Sequence, residues 1–354
     1  FAPENVSSRE QFAEALGSAC RRGKEYWQAA GLDLNGFNVL EAAADVEEAR
    51  IALGYDSMIL SGTSFGSHWG MAVLRSFPAS VERAVLSGLE GPDHTWDVPS
   101  QILAALERIA TTAEVELELS HRLPEGGLIG AWERVIERLE QDPVIVESKG
   151  PNQQVSRPVR LDGREMRQFV LSEMGSRYGI RDWPARVVAL YERDYAAAAA
   201  RRLRNSAPLR GMTASFFLMD GASGISRNRL ALVESDPAVN LLGRVNDGYR
   251  IVAPIWGVDL GDEFRLGFET SVPTLLVQGT WDVNTPLENA LELAPQFTQG
   301  RLVLVEGGSH AALREAARLS DDFRNGLTAF LKSGDLSRMS HKVRLPPLEW
   351  KKPR

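Results

Sequence analysis

The chain has 354 residues, of which 44% are apolar and 25% are charged, and its formal net charge at pH 7 is −7. A chain of this length can bury a large core and holds more than one structural unit. The negative charge argues against a nucleic-acid partner, and no apolar run is long enough to span a bilayer. The sequence contains neither a zinc-type Cys/His cluster nor a glycine-rich phosphate loop, so we expect no metal and no cofactor. The cellular compartment is unknown.

Two helices are predicted before the first strand. Residues 7–28 and residues 38–53 both have helical patterns. In the second helix, apolar residues recur at helical spacing and pack inward: Val39, Ala43, Val46 and Leu53. Cys20, the only cysteine, is either a small buried apolar side chain or half of a disulfide whose partner lies outside this chain.

The segment Leu60–Ser67 predicts a nucleophile elbow. An apolar strand-like run leads into Gly-Thr-Ser-Phe-Gly, and a helix-permissive stretch follows. This motif marks a turn so sharp that the serine backbone is strained and its hydroxyl is lifted above the sheet. We expect Gly62 and Gly66 to be required because a Cβ atom at either position would clash with the strand or the helix. Ser64 is therefore a candidate nucleophile, and the alternative is a polar residue in an ordinary turn.

A long helical region follows the next strand, which is predicted at Val81–Gly88. From about residue 93 to residue 268 the strand–helix alternation is replaced by helical patterns and one small hairpin. The helical patterns cover residues 102–113, 128–139, 164–174, 185–203 and 227–234, and the hairpin covers 144–146 and 155–161, with its turn at 149–152. An insertion of this size is typical of a cap that excludes water and selects the substrate.

Two later strands end in residues that suit catalysis. Residues 272–279 are followed by Thr-Trp-Asp282, and residues 301–305 are followed by Glu-Gly-Gly-Ser-His310. The carboxyl ends of parallel strands meet at one edge of a sheet, so we expect Asp282 and His310 to lie near Ser64. Asp282 could instead cap the helix that begins near Pro286, and His310 could be a helix N-terminal residue without a catalytic part.

These three residue types complement one another chemically. A serine hydroxyl is a poor nucleophile until a base takes its proton, imidazole is such a base near neutral pH, and a carboxylate holds the imidazole in the required tautomer. The remaining histidines lack a matched acid and serine. We expect His68 to pack or hydrogen-bond behind the elbow, and the others to lie at the solvated surface: His94, His121 and His341.

These motifs resemble the α/β-hydrolase superfamily, and more narrowly the serine aminopeptidases related to proline iminopeptidase and tripeptidyl aminopeptidase. The resemblance spans nearly the whole chain and is specific in its core segments. Those segments are Ala44–Tyr55, Gly62–Ser67, Phe77–Pro78, Val81, Arg83–Gly88, Pro273–Asp282, Gly307–His310 and Val343–Leu348.

The resemblance implies a fold with three parts. An α/β-hydrolase core with a mostly parallel sheet is expected in residues 1–92 and 269–354, and a large, mainly helical cap in residues 93–268 is inserted between the core strands. In this family several strands precede the elbow, and a His-Gly-Gly-type loop supplies the second oxyanion donor. Neither is found before the elbow, so we expect an N-terminally incomplete core, a missing segment of the same protein and a poorly cooperative melting transition. The alternative is an unusual minimal fold.

The resemblance also implies a chemistry and a substrate class. Ser64, Asp282 and His310 correspond to the triad that cleaves an acyl bond, and the backbone N–H of Phe65 corresponds to one oxyanion donor. Such aminopeptidases hold the substrate's free ammonium with cap carboxylates, and Asp220 is similarly placed; the alternative is an Asp-Gly turn in which Asp220 bonds its own backbone. We expect a peptide or other small substrate that is cleaved at its N-terminal residues. The alternatives are a carboxylesterase acting on small esters and a catalytically silent binding protein.

Overall fold

The computed structural model describes residues 9–149, 155–204 and 214–353 of the chain. Within these residues lie seven strands, which we number in chain order. They are β1 Met58–Thr63, β2 Val81–Ser87, β3 Val144–Ser148, β4 Arg157–Leu161, β5 Thr274–Gly279, β6 Gly300–Glu306 and β7 Lys342–Arg344.

Helices make up most of the remaining described structure. The α-helices are α1 Arg9–Ala29, α2 Val39–Ala52, α3 Phe65–Ser76, α4 Pro99–Glu116, α5 Gly127–Gln141, α6 Gly163–Leu171, α7 Arg177–Tyr191, α8 Ala196–Arg204, α9 Ala214–Ser223, α10 Arg227–Ser235, α11 Val239–Leu242, α12 Asp247–Trp256, α13 Gly261–Arg265, α14 Leu287–Leu293, α15 Ala312–Leu319 and α16 Asp321–Ser333. Of the helices in this part of the chain, none combines the length and apolarity that crossing a membrane requires.

Five of the described strands form one parallel sheet in the order β1-β2-β5-β6-β7. Val85 of β2 pairs with Ser61 of β1 and with Leu275 of β5. Every residue of β5 is buried, as expected for a central parallel strand that is covered on both faces. Strand β1 instead alternates between half-buried and exposed residues because it lies at the edge of this sheet. The predicted mostly parallel α/β-hydrolase sheet is confirmed.

Two apolar layers cover the two faces of this sheet. Successive residues of a strand point to opposite faces. Leu86 therefore packs with Met71 and Leu74 of α3, whereas its neighbour Val85 packs with Phe330 of α16. All five side chains are buried. The loops at the carboxyl ends of these strands therefore begin at residues that are packed on both faces of the sheet.

A third apolar cluster lies among α4, α5, α6 and α7, in the region between β2 and β5. Its largest side chains, Trp132 and Trp183, have no exposed surface. Strands β3 and β4 pair antiparallel beside it, with Val144 opposite Leu161, which confirms the predicted hairpin. Apart from residue 149, its predicted turn lies outside the described residues. The exact domain boundaries at residues 92 and 268 stay predictions.

Truncating a tryptophan in this cluster gives the first test of the fold. Trp183→Ala should lower the free energy of unfolding by about 3–5 kcal/mol, because it removes a fully buried ring and leaves a cavity. Val115 on α4 is 75% exposed, so Val115→Ala is a control that should change this free energy by less than about 0.5 kcal/mol. Urea unfolding followed by circular dichroism measures both values. Equal stabilities of the two variants would contradict the assigned packing.

One predicted helix is interrupted. The single helix expected over residues 185–203 is wrong, because α7 ends at Tyr191 and α8 begins at Ala196. Between them Arg193 has a φ of 68°, in the left-handed region, which ends the helical hydrogen bonding. Helices α9 and α12 were not predicted, although both contribute to the site described below. Cys20 is buried on α1 as a free thiol.

The segment that follows β7 runs across the cluster of α4 and α7. The backbone N–H of Lys351 donates to the Arg181 carbonyl at 3.1 Å. The indole N–H of Trp350 donates to Glu116 Oε2 at 2.6 Å, and its ring lies 5.6 Å from that of Trp281. Trp281 immediately precedes Asp282, so this tail packs directly against the loop that carries the candidate acid.

Candidate active site

Ser64 occupies the sharp turn between β1 and α3. It is one of the few described non-glycine residues with a positive φ, at φ 59° and ψ −131°. Gly62 is required there, because a Cβ atom on it would lie 2.1 Å from the Gly66 carbonyl oxygen. The same expectation for Gly66 is wrong, since a Cβ atom on that residue would meet nothing within 4 Å. The crowding is therefore one-sided: the helix backbone approaches the strand at Gly62.

Hydrogen bonds hold the backbone of this turn in its strained form. The N–H of Ser64 lies 3.0 Å from the Ser87 carbonyl and 3.1 Å from the Gly88 carbonyl, both at the end of β2. The hydroxyl of Ser67 donates to the Ser64 carbonyl at 2.7 Å. Strain of this kind persists only where the surroundings over-determine it. Phe65 is the first residue of α3, so its N–H has no carbonyl partner within that helix.

Asp282 lies just beyond β5 and is fully buried. Its Oδ1 accepts from the backbone N–H groups of Asn284 at 2.9 Å and Thr285 at 3.0 Å. Its Oδ2 accepts from the Thr285 hydroxyl at 2.8 Å and from the side-chain amide of Gln278 at 3.2 Å. These four hydrogen bonds fix the orientation of the carboxylate. The two backbone N–H groups that Asp282 accepts from belong to the loop, and the helix that Asp282 was an alternative cap for, α14, begins only at Leu287.

His310 hydrogen-bonds directly to this carboxylate. Its Nδ1–H lies 2.9 Å from Asp282 Oδ2 and 3.1 Å from Oδ1. Burial of the ring acts to lower its pKa, but the hydrogen bond and charge of Asp282, together with the charge of Asp97, outweigh burial and raise the pKa above 6.5. Because Nδ1 is hydrogen-bonded to the acid, Nε2 is the ring nitrogen that can accept a proton.

Gly88 lies between the His310 imidazole and the turn that carries Ser64. A Cβ atom on Gly88 would lie 3.0 Å from His310 Cε1, so the ring packs against this glycine, whose carbonyl also accepts from the Ser64 N–H. The structure thus joins Asp282 and His310 by a hydrogen bond and places both beside the strand end that holds Ser64. Among the described side chains, the Ser64 hydroxyl is not hydrogen-bonded to His310; its catalytic part stays a proposal.

Asp220 lies on α9 and is only 4% exposed. Its Oδ2 accepts from the Tyr249 hydroxyl at 2.9 Å, whereas its Oδ1 has no hydrogen-bond partner among the described residues. Burial raises the pKa of this carboxyl to about 6. The alternative interpretation as an Asp-Gly turn is wrong, because the residue is helical and its carboxylate meets Tyr249.

Two more carboxylates near Asp220 were not predicted. Glu90 and Asp97 both belong to the segment between β2 and α4, residues 88–98, which we call the β2 loop. Burial, followed by the charges of Asp220 and Asp97, raises the pKa of Glu90. Burial also raises the pKa of Asp97 to about 7. The charge of Arg229 opposes this shift, and the charges of Asp282 and Asp220 add to it. Their position after a strand's carboxyl end was the signal that could have identified them.

Two buried histidines fix the β2 loop. His68 on α3 donates from Nδ1 to the Gly91 carbonyl at 3.0 Å, and its Nε2 lies 2.8 Å from the Ser223 hydroxyl. The Gly91 N–H donates to Nδ1 of His94 at 3.1 Å. The surface prediction for His94 is wrong, because it is 3% exposed and its Nε2 contacts Glu292 at 3.2 Å. His68 bonds behind the elbow as predicted, and burial lowers its pKa to about 4.

The described residues contain no group of three or more His, Cys, Asp or Glu side chains placed to hold a metal ion. Residues 262–341, which include β5, Asp282, β6 and His310, match the family described as TAP-like protein. The segment that carries Asp282 and His310 is therefore similar to TAP-like proteins. No curated protein matches the chain.

Several solved structures are similar to the chain at low identity. One is an epoxide hydrolase mutant from Vigna radiata, with 15% identity over 85% of this chain and 78% of that chain and a TM-score of 0.34. Another is an esterase from Exiguobacterium antarcticum, with 16% identity, coverage of 85% and 76% and a TM-score of 0.35. A meta-cleavage product hydrolase has 13% identity, coverage of 84% and 73% and a TM-score of 0.36. Similarities this distant carry no argument about the activity of the chain.

Proposed function

We propose that this protein is a serine hydrolase that cleaves an acyl bond through Ser64, His310 and Asp282. The hydrogen bond between His310 and the buried Asp282, beside a strained serine turn, is the observation that carries the proposal. A carboxylate on Nδ1 orients the ring and stabilises the imidazolium that forms during the reaction.

The reaction proceeds in two halves. Ser64 Oγ attacks the substrate carbonyl while Nε2 of His310 takes its proton, and the backbone N–H of Phe65 donates to the developing oxyanion. The imidazolium then gives this proton to the leaving amine or alcohol, and an acyl-enzyme remains. Water, deprotonated by the same imidazole, attacks the ester carbonyl and releases the acid, which restores the Ser64 hydroxyl.

We further propose that the substrate carries a free amino terminus, so that the enzyme is an aminopeptidase. Asp220 supports this proposal, because it is a buried carboxylate with one oxygen that no donor in the described part of the chain reaches. Glu90 and Asp97 lie within electrostatic reach of it. Desolvated carboxylates without metal ligand geometry suit an ammonium group, which supplies three donors and a positive charge.

The proposed base predicts the acid side of the pH profile. His310 must be neutral to accept the serine proton, so activity is present above its pKa and is lost as the pH falls through it. Because Asp282 holds this pKa above 6.5, kcat/KM should begin to fall with decreasing pH already above pH 6.5. Hydrolysis of an uncharged ester is the appropriate assay, since its own charge does not change. A profile flat down to pH 5 would contradict His310 as the base.

Comparing amides with esters tests the aminopeptidase proposal. Amino-acid and tripeptide 4-nitroanilides with a free amino terminus should be cleaved, whereas the same compounds with an acetylated terminus should not. Asp220→Asn should raise KM for the free-amine substrates by about tenfold or more, because a charge-assisted contact is lost. Glu107→Gln, at an exposed carboxylate on α4, is the matched control. Ester cleavage without any amide cleavage would leave a carboxylesterase.

A further inference from the structure

The start of α7 lies against the two loops that carry the candidate acid and base. We call residues 280–286, between β5 and α14, the acid loop, and residues 307–311, between β6 and α15, the histidine loop. The Ser309 hydroxyl of the histidine loop lies 3.3 Å from the Gly175 carbonyl. A Cβ atom on Gly175 would lie 3.3 Å from the side-chain nitrogen of Asn284 in the acid loop. The segment that opens α7 thus contacts both loops.

Arg177, the first residue of α7, is buried, and its guanidinium contacts both loops and the tail that follows β7. One nitrogen donates to the Gly307 carbonyl at 2.9 Å, and another donates to the Pro346 carbonyl at 2.5 Å. The guanidinium carbon lies 5.9 Å from the centre of the Trp281 ring. Gly307 begins the histidine loop, and Trp281 immediately precedes the candidate acid. One side chain therefore contacts both loops at the same time.

The backbone of Arg177 is connected to the histidine loop through Glu315 of α15. The Arg177 N–H donates to Glu315 Oε1 at 3.1 Å. The same carboxylate accepts from the Ser309 N–H at 2.8 Å, through Oε2, and from the Ser309 hydroxyl at 2.7 Å, through Oε1. Ser309 is fully buried and immediately precedes His310. Arg177 thus holds the histidine loop by its side chain and by its backbone.

Backbone hydrogen bonds also join the two loops. The N–H of Gly307 donates to the Thr280 hydroxyl at 3.0 Å, and the N–H of Trp281 donates to the Gly308 carbonyl at 2.9 Å. These bonds leave the Gly307 carbonyl and the Trp281 ring to be held by Arg177. Loss of the guanidinium should therefore loosen the two loops without separating them.

Packing alone does not require a guanidinium at this position. Burial lowers the pKa of Arg177, against the opposing charges of Glu315 and Glu116, so its charge is partly desolvated. A well-packed apolar side chain often stabilises a fold as well as a buried charge does. A guanidinium differs in its planar fork, which donates in fixed directions. Here those directions lead to the carbonyls of Gly307 and Pro346.

We propose that Arg177 is a positioning residue of the triad. By donating to Gly307 and packing on Trp281, it fixes the histidine loop relative to the acid loop and so maintains the hydrogen bond between base and acid. A displacement of about 1 Å at a catalytic group can lower a rate by about a hundredfold. This inference rests on the proposed acyl-bond hydrolysis and adds a residue that acts through the two loops.

Arg177→Lys tests this inference on the full chain. Lysine keeps the positive charge, but its ammonium lacks the planar fork that reaches both carbonyls. We expect kcat for an uncharged ester to fall about tenfold while KM changes less than about twofold, because the loss concerns the triad and not substrate binding. Arg181→Lys makes the same replacement one turn later on α7 and should leave both constants unaltered. Equal kcat values for the wild type and Arg177→Lys would overturn the inference.

The pH profile of Arg177→Lys separates positioning from a purely structural role. Against the effect of burial, the hydrogen bond and charge of Asp282 raise the pKa of His310. A weaker hydrogen bond should lower this pKa, so the acid limb of kcat/KM for the ester should move to lower pH. Urea unfolding of the same variant measures its free energy of unfolding, and a purely structural role would change that value alone. An acid limb identical to that of the wild type would overturn the inference.

Glu315→Gln is a second variant, which leaves the guanidinium in place. The N–H groups of Arg177 and Ser309 donate to separate oxygens of Glu315, whereas a glutamine amide has one acceptor oxygen. We expect kcat for the ester to fall about tenfold here as well. If both residues act through the histidine loop, the double variant should lose less than the product of the two single losses. A loss equal to that product would show independent effects and overturn the shared positioning.

Fluorophosphonate labelling separates a failure of this inference from a failure of the proposed function. The labelling rate of Arg177→Lys should fall about tenfold, because the probe reacts with the serine that the base activates. If the wild type is not labelled, or if Ser64→Ala is labelled equally, the proposed function fails and this inference with it. If only Ser64→Ala resists labelling and Arg177→Lys reacts at the wild-type rate, the inference alone fails.

Discussion

Ser64→Ala should abolish labelling by a fluorophosphonate probe and lower kcat for any substrate by about a million-fold. The expected loss is this large because the hydroxyl forms the covalent bond of the acyl-enzyme, which no neighbouring group can replace. Water attack assisted by the remaining groups would account for the residual rate. His310→Ala should cause a loss of similar size, since an unassisted hydroxyl stays protonated and unreactive at neutral pH.

The labelling experiment also distinguishes a nucleophile from a residue that is merely in a strained turn. Intact-mass analysis of the wild type should show one adduct, and peptide mapping should place it on Ser64. Ser333→Ala removes an exposed hydroxyl from α16 and should leave both labelling and turnover as they are. Unchanged labelling of Ser64→Ala would show that another residue reacts, and complete absence of labelling in the wild type would favour a silent binding protein.

The sequence predicted those parts of the site that depend on local backbone geometry. Ser64 has a φ of 59° at the end of a strand, and the helix backbone that follows it approaches the strand closely at Gly62. Only glycine fits at that position, and the sequence shows it there. Asp282 and His310 follow buried strands, so their location at the carboxyl edge followed from the parallel sheet. Each of these features is encoded within a few residues of the side chain concerned.

The grouping of Glu90, Asp97 and Asp220 beside the proposed triad could not be predicted in the same way. Glu90 and Asp97 are ordinary carboxylates in a loop until Asp220, more than a hundred residues later, is placed beside them. His94 lies in a polar stretch of sequence, and only the packing of α14 against the β2 loop buries it against Glu292. Such contacts are set by the packing of segments that lie far apart in the chain, which no local sequence pattern predicts.

Gln278 illustrates how these two parts of the site are connected. It is fully buried on β5. Its side-chain amide donates to Asp282 Oδ2 at 3.2 Å, and its Oε1 accepts from the backbone N–H of Leu89 at 2.9 Å. Leu89 is the neighbour of Glu90, so one side chain ties the acid of the proposed triad to the loop that carries two of the three carboxylates. A shift of the β2 loop would therefore displace the Asp282 carboxylate, and a shift of Asp282 would displace the loop.

Asp282→Asn should lower kcat by about ten-thousand-fold while the protein stays folded. The asparagine amide can donate to Nδ1 of His310, which would leave the proton on Nε2, where the base must be free to accept the proton of Ser64. The amide also has a single acceptor oxygen, whereas four donors besides His310 now converge on the carboxylate. Both effects act on the catalytic tautomer more than on the fold.

The pH profile separates this effect from simple loss of structure. The charge of Asp282 raises the pKa of His310, so its removal should lower that pKa and move the acid limb of kcat/KM to lower pH. Asp259→Asn removes a carboxylate that is 65% exposed and should leave the limb in place. An acid limb that stays where it is in Asp282→Asn, with kcat reduced by less than about tenfold, would show that the carboxylate does not act on the base. The hydrogen bond to His310 would then be structural, and the proposed triad would lose its acid.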